Sequence, residues 1–141
     1  MTADESIIAY VFTLLATVSG ATAFRSREEA VALQEGIAVI VKPEEVPYEN
    51  RAAATDLTLA NLTFVITIIA RGAVPDSTAD PVRQAVHKAV MADKTLGGRA
   101  ASLMPHSTKW DFEEADQTAA AIEMRFVARY QTGTSDITAL I

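Results

Sequence analysis

Near the start of the chain, Ile7, Val11, Leu14, Leu15 and Val18 recur at helical spacing. Thr2 and Glu5 stand three apart before this stripe, the spacing of a capping box, so a helix is predicted from Ala3 or Asp4 that ends by Gly20. Ser26 and Glu29 repeat that spacing and Gly36 is a terminator. A short second helix from Arg27 to Gln34 is predicted there, with a simple turn as the alternative. Ile37–Val41 (IAVIV) is apolar and β-branched and reads as a buried strand. Residues 42–55 (KPEEVPYENRAAAT) carry two prolines and no period, and read as an exposed loop.

The clearest strand follows. Leu62, Phe64, Ile66 and Ile68 alternate with the more polar Asn61, Thr63, Val65 and Thr67. Asp80-Pro81 then reads as N-cap and first helical residue, ahead of an apolar stripe at Val82, Ala85, Val86, Ala89 and Val90. This helix is expected to end between Met91 and Lys94, with Gly97-Gly98 turning the chain. Residues 99–112 (RAASLMPHSTKWDF) predict a short strand interrupted at Pro105, and residues 111–117 (DFEEADQ) an acidic connector. Ala120, Ile122, Met124, Phe126 and Ala128 form one face of a second long strand, with Glu123, Arg125 and Arg129 on the other and Val127 as the exception. The last stretch, GTSDITALI, is polar and then apolar, and is expected to pack on its own domain or on a neighbour.

This order predicts an α+β fold: a single domain over residues 1–132 with a C-terminal tail over 133–141. Its sheet is expected to be mostly antiparallel, built on two long strands, with helices packed on one side.

Composition narrows the function classes. Of 141 residues half are hydrophobic, which marks a folded chain. Asp and Glu outnumber Lys and Arg by 18 to 12, and the net charge of −6 argues against a broad phosphate-gripping surface. A negative lining does suit a pore through which nucleic acid passes without adhering. There is no cysteine, hence no disulfide framework and no thiolate metal site. The stretch Ile7–Ala23 imitates the apolar core of a signal peptide, but Asp4 and Glu5 precede it where a leader carries positive charge. It is expected to be a packed helix, in a protein that neither spans nor binds a membrane.

Catalytic equipment is sparse. His87 and His106 both read as solvated residues. Asp111, Glu113, Glu114 and Asp116 offer carboxylates to a hard cation, but without the EF-hand spacing or its glycine they read as a solvated acidic run. No serine has a nucleophile-elbow context, and no glycine motif matches a phosphate-binding loop. No catalytic residue, metal ligand or cofactor is assigned. Arg25 and Arg27, beside Glu28 and Glu29, read either as a helix start with favourable N-terminal acids or as a charged interface patch. Trp110, the only tryptophan, borders the acidic run and reads either as a core residue or as an anchor at an interface rim.

Residues 74–132 resemble the phage minor tail proteins of the tail terminator (tail completion) type, the family of the lambda-type terminator. The resemblance lies in the order of parts: a long strand, then Pro75-Asp76-Ser77 and a helix, then a turn with Met91, Asp93 and Leu96. A short strand, the acidic run Asp111 to Asp116, and a last strand ending in Tyr130 and Thr132 complete it. The N-terminal helix, the FRSREEA stretch and the apolar strand after it match the same layout. The resemblance implies an α/β sandwich fold and a structural role with no catalysis. Such proteins form a ring, usually of six subunits, on the head-proximal end of the tail tube. The ring stops tube polymerisation and offers a face to the head connector. The implied partners are further copies of the chain, the tail tube protein and a head–tail connector protein, with no sequence-specific nucleic-acid binding. The implied location is the virion tail, assembled in the host cytoplasm. Another head–tail connector or neck protein, or a small ligand-binding α+β domain, is the alternative. A head-to-tail ring needs two complementary patches on each subunit. The basic pair Arg25 and Arg27 and the acidic run, with Trp110 beside it, are the expected candidates.

Overall fold

The chain enters its first helix, α1 (Ala3–Leu15), at Thr2, whose hydroxyl accepts the Glu5 N–H at 3.2 Å. Only half of the expected capping box forms, because the Glu5 carboxylate turns instead to Arg25. Ile7, Val11 and Leu15 are buried as their spacing predicts, and Ile8 joins them. The computed structural model describes residues 1–26, 36–49, 56–113 and 118–140. The helix expected over Arg27–Gln34 lies outside them.

After α1 come β1 (Thr22–Arg25), β2 (Ala38–Glu45), β3 (Tyr48–Glu49), β4 (Leu57–Arg71), α2 (Pro75–Met91), β5 (Ser102–Glu113), β6 (Ala119–Gly133) and β7 (Ala139–Leu140). The strands form one sheet in the order β1-β2-β4-β6-β5. β3 extends the β2 side of β4, and β7 extends the β5 side of β6. All pairings are antiparallel except β1 with β2. This is the α+β fold expected, and one core holds it together. Leu62, Phe64, Ile66 and Ile68 of β4 and Ile122, Met124, Phe126 and Ala128 of β6 lie under both helices, α1 and α2. Phe64 and Phe126 are direct cross-strand partners, with ring centroids 5.5 Å apart and planes 16° from parallel.

No described helix covers the opposite face. There Arg125 of β6 reaches across β4 to Glu44 of β2 (3.1 Å) and also bonds Glu123 (3.0 Å), while Arg129 bonds Glu49 (3.1 Å). The first of these pairs passes over β4 at the level of Val65, which is only 1 % exposed. Charged side chains laid along the sheet, stems down, close this face.

Several expectations are corrected. Residues 42–49 are not loop: Lys42–Glu45 continues β2, and Tyr48–Glu49 is β3. Pro43 fits a strand because β1 ends opposite Val41, so among the described residues that side of β2 has no partner beyond it, and a register shift follows at Pro43/Glu45. Residues 50–55 lie outside the described ones. Helix α2 begins at Pro75, capped by Val74, and Pro81 sits inside it. Pro75, Ala79, Val82, Val86 and Val90 are all buried, so the apolar stripe runs through Pro81 and core burial overrides the local breaker. Ala85, expected on that stripe, is exposed, and Ala89 is half-buried. β1 was not foreseen. The C-terminal tail folds back on its own domain: Ala3 N–H donates to Ile137 C=O at 2.9 Å, and β7 pairs with β6.

The turn from α2 to β5 has Leu96, Gly97 and Gly98 at φ of 49°, 67° and 84°. Asp93 organises it. Its carboxylate accepts the Thr95 hydroxyl (2.7 Å), the Thr95 N–H (2.9 Å) and the Gly97 N–H (2.9 Å), which hold its pKa below the ordinary 3.8. A lowered folded pKa stabilises fully above the ordinary value and is lost as pH falls through the folded one. Asp93→Asn is therefore expected to lower the melting temperature at neutral pH, and the gap to the parent should shrink as the pH drops below 3.8. A gap that stays constant down to acid unfolding would show that the charge of Asp93 does nothing here.

Candidate functional site

β5 is where the sequence reading and the structure differ most. The short, interrupted strand is a single strand of 12 residues, Ser102–Glu113. Pro105 does not end it. The register against β6 shifts between Pro105 and Ser107, so His106 is the extra residue of a bulge. An edge strand tolerates this, since the N–H that proline lacks is not needed by a second neighbour. Asp111 and Glu113 are therefore strand residues and not part of a connector.

Pairing with β6 assigns the faces. Trp110 and Phe112 stand opposite the buried Ile122 and Ala120, on the helix side. Lys109, Asp111 and Glu113 stand opposite Glu123, Ala121 and Ala119, on the open side. α2 lies over β4 and β6 and leaves this end of β5 uncovered. Trp110 and Phe112 are 44 % and 51 % exposed, and Met104 on the open side is 61 % exposed. Such large apolar groups, on a strand whose outer side has no partner strand among the described residues, are a surface for association.

Between α2 and β5 runs an open groove. Asp76, Asp80, Arg83 and Trp110 line one part of about 370 Å³, with Ile122 at its floor. Arg83, His87, His106 and Thr108 line the next part, of about 260 Å³, over Met124 and Phe126. The Arg83 guanidinium lies 5.1 Å from the centre of the Trp110 ring, a cation–π contact, and its buried Nε has no hydrogen-bond partner among the described residues. The His87 ring lies 5.8 Å from that of Phe126. Both histidines are exposed, as their sequence contexts suggest. Spacing gave no hint that they share a groove, because the α2–β5 crossover brings them together.

The predicted patches fall at opposite ends of the sheet. Arg25 closes β1, at one edge; Trp110, Asp111 and Glu113 lie on β5, at the other. Arg25 is not a free cation. Its guanidinium grips both oxygens of the Glu5 carboxylate, with Nη1 to Oε1 at 2.8 Å, which lowers the Glu5 pKa and raises that of Arg25. That pair ties β1 to α1. Arg27, Glu114 and Asp116 lie outside the described residues. Among the described residues no three acidic or histidine side chains converge as metal ligands. No protein-family model matches the sequence, and no curated protein matches it.

Proposed function

We propose that the protein is a structural subunit of a phage tail terminator, forming a ring that caps the tail tube, stops its growth and presents a face for head joining. The observation that carries this reading is that the sheet ends in two chemically different edges. The β1 edge is short and tied to α1 through Arg25. The β5 edge is long, has no pairing strand among the described residues, and is apolar on one face and acidic at its end. Head-to-tail closure requires such unlike surfaces, the front of one copy meeting the back of the next. The α+β fold with both helices on one side agrees with what the resemblance implies. The ring's other partners, the tube protein and the head connector, follow from the same reading.

The test is mass against concentration by light scattering, with negative-stain images of the largest species. Closed rings of about six subunits are expected at high concentration. Glu113→Lys is expected to weaken them most at low salt, where surface charge is least screened. A chain that forms no ring at any concentration, and is not driven to one by a tail tube end, would refute the reading.

A further inference from the structure

Among the described residues no strand pairs with the outer side of β5. Pro105 and the bulge at His106 bound it on one side, so the pairable stretch is Ser107–Glu113. Its side chains read, in order, hydroxyl, hydroxyl, Lys109, Trp110, Asp111, Phe112, Glu113. Among the described residues neither Lys109 nor Asp111 has an ion-pair partner, since Glu123, opposite Lys109, bonds Arg125. We propose that this stretch pairs antiparallel with the same stretch of a second copy, about a two-fold axis through Trp110.

Charge selects both the partner and the register. With the axis at Trp110, Lys109 of each copy opposes Asp111 of the other, and Ser107 opposes Glu113. A two-residue slip one way sets Lys109 against Lys109; the other way sets Asp111 against Asp111 even as Lys109 meets Glu113, so of these three registers only the one centred on Trp110 pairs unlike charges with no like charges opposed. Like charges directly opposite destabilise a pair, and unlike charges support it. The same axis sets Trp110 beside its mate and Phe112 against Thr108, all on the helix side. It covers the two apolar side chains that β5 now leaves in solvent. The product is one sheet continuous through two copies, with no unpaired strand edge at its centre.

This dimer goes beyond the ring reading and does not depend on it. Where both exist, they compete for β5, and the dimer is the form that shields this edge until a ring is assembled. The test uses the full chain, by sedimentation over a range of low concentrations, with Lys109→Glu, Asp111→Lys and the double swap, each checked for folding by circular dichroism. The wild type is expected to be a dimer. Each single reversal creates two like-charge oppositions and is expected to weaken dimerisation by about tenfold or more, and the double swap to restore it. A monomeric wild type overturns the proposal, as does a folded double swap no tighter than the single variants. Rings forming equally in all four proteins without a dimer overturn it too, and leave the ring reading standing.

Discussion

Phe126→Ala is expected to destabilise the protein by about 3–5 kcal/mol. Phe126 is 1 % exposed, stacks on Phe64 across the central strand pair, and meets His87 of α2 from above. Truncation removes the ring's transfer free energy and also leaves a cavity between β4, β6 and α2, which rigid long strands cannot collapse to fill. Denaturant unfolding measures it as a lower midpoint at unchanged slope. Val127→Ala, next along β6 but on the open, half-buried face, is the control and should cost about 1 kcal/mol or less. Equal losses at the two positions would refute the placement of the core on the helix side of the sheet.

Gly97→Ala is expected to cost about 2–3 kcal/mol, and Gly98→Ala only about 1 kcal/mol. Both glycines sit at positive φ, so each substitution carries backbone strain, partly offset by reduced freedom of the unfolded chain. Space separates them. A Cβ at Gly97 would stand 2.7 Å from Arg99 Nη1 and 3.2 Å from the Tyr10 ring, whereas a Cβ at Gly98 meets nothing within 4 Å. The Arg99 tip can swing away, but only by leaving its place 4.4 Å over Tyr10 and its Nε bond to Ser6 at 3.2 Å, contacts that fasten this turn to α1. Paired melting curves of the two variants isolate the contact from the strain. A Gly97→Ala loss no greater than that of Gly98→Ala would show that the Arg99–Tyr10 stack adds nothing. The turn also seats Leu96, fully buried at a φ of 49°, as a plug in the core.

The elements that were legible are those whose periodicity reports a single environment along their length. α1 alternates between core and solvent every turn. β4 and β6 alternate every residue, because one face lies under helices and the other under charged side chains. Local chemistry misled wherever a breaker was overruled from a distance. Pro81 stays helical because Pro75 and Ala79 are held in the core, and Pro43 and Pro105 stay in strands because each stands where the described residues offer no second neighbouring strand.

The sequence by itself determined the fold class, the two central strands and the face each buries. These follow from side-chain spacing and charge, which are local properties of the chain. Only the tertiary structure decided that β1 and β5 are the two edges, that Arg25 is held by Glu5, and that Trp110 meets Arg83 across a groove. It also decided that the acidic run begins inside a strand with one free side. Edge or centre is a property of strand order, which is set by long-range pairing. A strand exposed on both faces has no alternation to betray it, so β5 became visible only through its register against β6.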